Sequence, residues 1–244
     1  MGDGEEARNN EPAPALAGQA VVAIWHDTVP EALAEYYEWH NREHMPERVG
    51  IPGFRRGRRY VALAGRPEIF TLYEAESIAV LTGPDYTARL DSPTPWTRRM
   101  VPHLTNNVRS LCRVVQSLGA GQGGLMMTWR YDVAAGREEE HQRFLVDRLP
   151  GLADRPGIVG VHLCLADRAA SAVQTGEKRL QAAKALAPNW VVLVEGAGET
   201  AALDAACRDA LPSEAIAAAG ALAPIERGLY RLQNTRSRTP GRAG

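Results

Sequence analysis

Two stretches of this chain repeat one another, and that repetition limits the possible fold more than any other feature. Trp25 matches Trp129, Pro46 matches Pro150, and Pro52-Gly53 matches Pro156-Gly157, each pair 104 residues apart. Further on the spacing becomes 121: IFTLYE (69–74) matches WVVLVE (190–195), with Leu72/Leu193 and Glu74/Glu195 shared. At the same spacing LTNNVRSLCRVV (104–115) falls on IERGLYRLQ (225–233). The difference of 17 residues (121 − 104) belongs to an insertion in the later copy, near 168–187, which is helical in composition and expected as a surface excursion.

Each copy reads strand, helix, turn, strand, strand, helix, strand. That is the ferredoxin-like split βαβ plan, an α+β class in which helices cover one face of a four-stranded antiparallel sheet. The bare face of one copy can be covered by the other, so two copies are expected to close into one pseudo-symmetric barrel. The chain then divides into a disordered tail (1–18), a first repeat (19–117), a Gly-rich linker (118–124), a second repeat (125–233) and a basic tail (234–244). The linker holds a formal G-x-G-x-x-G at Gly119, Gly121 and Gly124, but a strand-like run follows it, so no helix N-terminus meets a phosphate. The first helix, EALAEYYEWHNREH, is expected to stop at Met45-Pro46, because proline disfavours helical geometry in the residue before it.

The charge balance, 28 Lys+Arg against 29 Asp+Glu, offers no basic surface for nucleic acid and favours a small molecule as partner. No apolar run reaches the roughly 20 residues of a membrane span, and the first residues have no signal-peptide pattern, so a cytoplasmic protein without membrane contact is expected. Three separated cysteines, Cys112, Cys164 and Cys207, suggest neither a disulfide framework nor a thiolate metal site.

Chemistry concentrates in the first copy. Leu33, Tyr37, His40 and His44 fall on one helical stripe, with Tyr36 and Trp39 beside it. Two imidazoles one turn apart can exchange protons near neutral pH; hydrogen-bonded core histidines are the alternative. His-x-x-x-His is also a metal spacing, although the general-base Glu of H-E-x-x-H is replaced by Asn41, and a third ligand would have to come from Glu43, Glu47 or His103. In Arg55-Arg56-Gly57-Arg58-Arg59, alternation sends Arg56 and Arg58 to one face and Arg55 and Arg59 to the other. One Arg there can clamp an anion; for most of the four the alternative is a solvated sheet edge. Trp96, Arg98, Arg99 and His103 are placed to cover a pocket mouth, or Trp96 to plug the core. Between copies His40 falls on Phe144, His44 on Arg148, Glu47 on Gly151 and His103 on Pro224. Residues kept only for the fold should persist in both copies, so this asymmetry favours a functional first copy, with drift in the second as the competing explanation.

The segment WHNREHMPERVGIPGFRRGRRYVALAG followed by PEIFTLYEAES resembles the EthD-like and related dimeric α+β barrel proteins. The resemblance rests on His44-Met45-Pro46-Glu47, Pro52-Gly53-Phe54 and Arg58-Arg59-Tyr60, and covers about residues 20–115. Such proteins include cofactor-free monooxygenases, lactone isomerases, polyketide cyclases, dehydratases and haem enzymes, so the fold does not select a reaction. The resemblance singles out His44, then Arg59 and Tyr60. This chain departs from the usual form by fusing two halves and lacking the His in the second. The expectation is an enzyme without cofactor, using His44 and His40 as acid/base groups on a small aromatic or polyketide-like compound, as an isomerase, dehydratase, cyclase or decarboxylase. Tyr36, Tyr37, Arg59, Tyr60, Trp25, Trp96 and His103 are the substrate-binding candidates. A haem- or metal-dependent enzyme and a non-catalytic binding protein are the alternatives, and further homodimerisation is compatible with the fused barrel.

Overall fold

β-branched and aromatic residues are concentrated in several of the segments that form strands, as in IFTLYEA (69–75) and WVVLVEG (190–196). The strands are β1 (Ala20–Thr28), β2 (Phe54–Ala64), β3 (Ile69–Ala75) and β4 (Leu104–Leu118) in the first copy, and β5 (Leu125–Val133), β6 (Ile158–Ala166), β7 (Trp190–Gly196) and β8 (Ala221–Ser237) in the second. In this computed structural model residues 15–180 and 188–238 are described; the rest of the expected tails and residues 181–187 of the insertion lie outside them. The strands close into one antiparallel barrel in the order β1-β3-β2-β8-β5-β7-β6-β4. Each copy supplies the ferredoxin-like order 4-1-3-2, and the β2–β8 and β4–β6 pairs seal the two seams. No helix among the described residues is long and apolar enough to cross a membrane.

Strand register corrects the repeat alignment. Val22 faces Tyr73 and Leu111, and Met127 faces Val194 and Leu229. The true offset is therefore 105 for β1/β5 (127 − 22) and 118 for β4/β8 (229 − 111), while β3/β7 keeps 121 (194 − 73). For β2/β6, Arg58 facing Leu72 and His162 facing Leu193 keep 104 (162 − 58). A one-residue slip moves a strand side chain to the other face. Trp25 thus corresponds to Arg130, not to Trp129: Trp25 lies inside the barrel with Tyr60 and Phe70, whereas Trp129 packs outside under the second copy's helices.

The first helix also departs from expectation. It does not stop at Met45 but runs through α1 (Leu33–Trp39), a π turn (His40–His44) and α2 (Met45–Val49). The Met45 N–H reaches back five residues to the His40 carbonyl, and Pro46, which has no N–H to continue the ladder, follows at once. In the second copy α6 (Glu138–Ala153) is unbroken. Tyr36 occupies the place of buried His141 (141 − 36 = 105) and Met45 that of buried Leu149 (149 − 45 = 104), so the π turn is one extra residue. It shifts the buried stripe from Tyr37 to Tyr36.

Inside the barrel, charge is concentrated at one end. Arg56 and Arg58 both bond Glu74, and Arg58 crosses to Glu195 through paired contacts of 2.7 and 2.9 Å. His162, the counterpart of Arg58, lies 3.2 Å from Glu195. Arg56, Arg58 and Arg59 are all buried; of the four expected at a solvated edge only Arg55 is exposed, paired with Glu76. The presumed tail joins this network: Ala17 N–H donates to Glu74, the Ala15 carbonyl accepts from Arg56, and Leu16 is buried in the barrel cluster. At the other terminus β8 runs past 233 to Ser237, which pairs with Arg56.

The remaining helices are α3 (Ile78–Thr82), α4 (Pro84–Asp91) and α5 (Pro95–Met100) in the first copy, and α9 (Thr200–Ala210) and α10 (Ser213–Ala218) in the second. The insertion carries α7 (Arg168–Ala172) and α8 (Gly176–Arg179). Rather than standing away from the surface, it lies on the first copy: Gly176 N–H donates to Asp91, and the Leu111 N–H donates to Ser171.

Burial alone would raise the Glu195 carboxyl, but the His162 contact and Arg58 hold it down to about 2. A pKa depressed by folding adds stability above the unfolded value near 4.3 that disappears as pH falls toward 2. Replacing Arg58 by Met removes the paired guanidinium contact from Glu195, leaving it His162 and the Gly123 N–H, while Glu74 keeps Arg56; the loss is expected to cost about 3–5 kcal/mol. Urea denaturation at pH 7 checks this; an unchanged midpoint would show that the network does not hold the halves together.

Candidate functional site

Between the first helix and the outer face of β1, β3 and β4 lies a cavity of about 60 Å³. A closed cavity of about 150 Å³ accepts benzene, so this one is smaller than a whole aromatic ring requires. Its walls carry His26, Tyr36, His40, His44, Arg48 and Arg109, with Trp39, Tyr73 and Tyr86 between them and Glu177 from α8 at the edge. The π turn accounts for part of this: His40 and His44 both point inward, their rings 5.7 Å apart, and His44 stacks on Trp39 at 4.2 Å.

The expected residues divide into three groups. His44, His40 and Tyr36 line the cavity. Arg59 stands behind it, donating to His40 Nδ1 at 3.1 Å and to Gln233 at 2.7 Å, with its guanidinium 4.9 Å from the ring centre of half-buried Tyr37. The others lie elsewhere. Trp25 and Tyr60 face into the barrel, stacked on either side of Phe70, because β1 and β2 alternate faces and these positions fall on the inner one. Trp96 bonds Glu35 at the outer rim, and His103 is exposed in the turn before β4.

His26, Arg48, Arg109, Tyr73 and Glu177 were not anticipated. They come from five separate elements, and strand alternation from Val22 through Ile24 was the one signal that could have placed His26 on the helix side. His26 bonds the Tyr36 hydroxyl at 3.2 Å. The second copy makes the same bond with the partners exchanged, Tyr131 on β5 to His141 on α6 at 2.9 Å. This pair therefore belongs to the fold.

Other positions separate the copies. His40 corresponds to buried Leu145 (offset 105), not Phe144, and Arg48 to buried Leu152 (offset 104). At the β4/β8 offset of 118, His103 falls on Ala221 rather than Pro224. Arg109 falls on Arg227, which is neutralised by Asp204 at 2.7 Å, whereas Arg109 has no carboxylate partner among the described residues and donates to the Tyr86 hydroxyl at 3.1 Å.

Burial and surrounding cations keep the imidazoles neutral. Burial pushes His26 down to about 4. It also holds His40 well below its ordinary range, helped by Arg59, and His44 likewise, helped by Arg48. An arginine only donates, so His40 Nδ1 must accept and its proton sits on Nε2, 3.4 Å from the Tyr73 hydroxyl. Four polar atoms on cavity residues are buried with no hydrogen-bond partner among the described residues: His44 Nδ1, Arg48 Nη1, Thr71 Oγ1 and Arg109 Nε. A larger cleft of about 520 Å³ opens at the barrel end near Asp27, Arg130 and Glu226, but its charged groups are already paired, Arg130 with Glu226 and Asp27 with Asn106 and the Glu68 N–H.

No protein-family model and no curated protein matches the sequence. Solved structures do match in fold. An anthrone oxidase-like protein aligns over 92% of this chain and 95% of its own, with a TM-score of 0.63 and 14% identity. A putative monooxygenase from Fusobacterium nucleatum aligns over 91% and 96% (TM-score 0.57, 8% identity), and a putative chlorite dismutase over 88% and 95% (TM-score 0.55, 10% identity). These likenesses establish the dimeric α+β barrel architecture, here built from one chain.

Histidines held neutral by burial leave the unfolded chain with more bound protons below its ordinary histidine pKa near 6.5, so stability falls as pH drops from about 6.5 toward 4. NMR titration is expected to show His26, His40 and His44 uncharged at pH 6, with His40 as the Nε2–H tautomer. Titration of all three near 6.5 would contradict the burial described.

Proposed function

We propose that this protein is an enzyme that removes a proton from a small hydroxylated aromatic compound, with His44 as general base and Arg48 and Arg109 as the groups that stabilise the resulting anion. The carrying observation is a set of buried atoms on one cavity that have no partner among the described residues, including an imidazole nitrogen and two guanidinium N–H groups. Unmet buried donors and acceptors are costly, and a ring hydroxyl satisfies them together. Its O–H proton passes to His44 Nδ1, leaving an imidazolium beside a phenolate, and the phenolate oxygen accepts from the arginines. Trp39, stacked on His44, supplies an aromatic wall and Tyr36 another.

A neutral imidazole flanked by cations is a weak base before substrate enters. The forming phenolate reverses this, since an adjacent negative charge favours the imidazolium. His40, with Nδ1 committed to Arg59, serves as an oriented Nε2–H donor rather than a second base. The anion so formed is the electron-rich species that an oxidant such as dioxygen attacks, and the names of similar structures, an anthrone oxidase-like protein and a putative monooxygenase, favour oxidation.

We further propose that the step needs no metal. Arg48 and Arg59 place positive charge beside the histidines, His40 Nδ1 is occupied, and among the described residues no group of three or more His, Cys, Asp or Glu side chains is arranged to hold a metal.

With a substrate found by screening single-ring phenols, His44→Gln is expected to lower kcat by about 10²–10⁴ while leaving the circular dichroism spectrum unchanged. The acid limb of kcat/KM for the wild type should lie well below pH 6.5, because the base form of His44 persists there. Undiminished turnover by the variant would overturn the assignment.

A further inference from the structure

The insertion that distinguishes the second copy places one acidic residue at the first copy's cavity. Glu177, on α8, makes a close ion pair with Nη2 of Arg48, whose side chain is 3% exposed. Glu47 stands on the other side, 3.6 Å from Nη1 and beyond hydrogen-bond range. The segment is fixed to the first copy on both flanks of Glu177. Thr175 is buried and caps α8, Gly176 N–H donates to Asp91 at 2.8 Å, and Arg179 approaches Asp91 at 3.8 Å. Nothing comparable exists in the other half, where apolar Leu152 stands at the Arg48 position and Gly151 at that of Glu47.

We infer that Glu177 is a specificity-determining residue: it occupies the arginine that a carboxylate-bearing ligand would need, and so restricts the cavity to aromatic compounds that enter uncharged. The inference rests on the proposed site but not on its chemistry. Two carboxylates, Glu177 and Glu47, already compensate Arg48, and Arg109 is a cavity cation without an acidic partner among the described residues. One uncompensated guanidinium suits a single oxygen that acquires charge only on losing its proton. A ligand that arrives with a full carboxylate faces Glu177 at the cavity edge and must either displace it from Arg48 or lie beside it, and like-charge juxtaposition is a common means of rejecting wrong ligands.

Benzamide and benzoate have nearly the same shape and differ by one charge, so their affinity ratio isolates this effect. Calorimetric titration of the full chain with each probe is expected to show the wild type preferring benzamide. In Glu177→Gln the ratio should move toward benzoate by about tenfold or more, the size of one charge contact removed from a partly buried site. Glu177→Asp, which keeps the charge, should retain most of the wild-type preference. A purely structural role for Glu177 would weaken both probes together and leave the ratio unmoved. A ratio within twofold of wild type, or no measurable benzoate binding by Glu177→Gln, overturns the inference. His44→Gln serves as the separating control: it removes turnover if the proposed base is right, and leaves the benzamide-to-benzoate ratio where it was.

Discussion

The barrel is built around a buried ionic bridge. Arg58 of the first copy contacts Glu74 of its own sheet and Glu195 of the other, and His162 closes the group from the pseudo-symmetric position. Two arginines, Arg56 and Arg58, balance two glutamates in a space without solvent, and such a group is tolerable only when its partners are all in place. Backbone segments complete it. Ala17 and Gly123 each donate an N–H to a glutamate, tying the start of the described chain and the interdomain linker to the barrel end. This set of contacts fixes how the two sheets face one another, and every position on the outer faces follows from that.

The structural asymmetry of the two halves is produced by few changes on this symmetric frame. One extra residue in the first helix forms the π turn, which carries His40 and His44 inward together. In the second copy leucines at the His40 and Arg48 positions fill the same space with apolar volume. The arginine shared by β4 and β8 is neutralised by Asp204 in the second copy and has no acid partner among the described residues in the first. The insertion of the second copy then crosses to the first and meets Arg48. One half is a solid core and the other encloses polar groups. The Trp39 indole N–H, held by Thr97, and the Arg59 contact to His40 keep the neighbouring side chains in fixed orientations.

The two copies do differ along the first helix, but register changes which residues correspond. Trp25 and Trp129 look equivalent because tryptophan is rare, yet the ladder pairs show a slip of one residue, which on a strand is a change of face. A helical stripe drawn through Leu33, Tyr37, His40 and His44 assumes 3.6 residues per turn throughout, and the π turn breaks that assumption. The His26–Tyr36 and Tyr131–His141 pairs escaped notice because the residue types are exchanged while the hydrogen bond is kept. Arg56 and Arg58 look like edge guards in a charge-rich run. Only the closed barrel supplies Glu195 from the opposite sheet and so makes them interior residues.

The sequence by itself determined the class: strand and helix order, duplication, and the near-zero net charge that directs attention to small ligands. It also determined the location of the two histidines on one helix, since i, i+4 spacing survives a local change of pitch well enough to keep them neighbours. Tertiary structure decided the rest. Register decided which face each strand residue occupies, the extra helical residue decided which aromatic side chain is buried, and barrel closure brought Glu195 to Arg58 and Glu177 to Arg48 across sequence separations of 137 and 129 residues. Those are contacts between side chains whose local sequences contain no mark of one another, because the force that pairs them acts only after the backbone has closed.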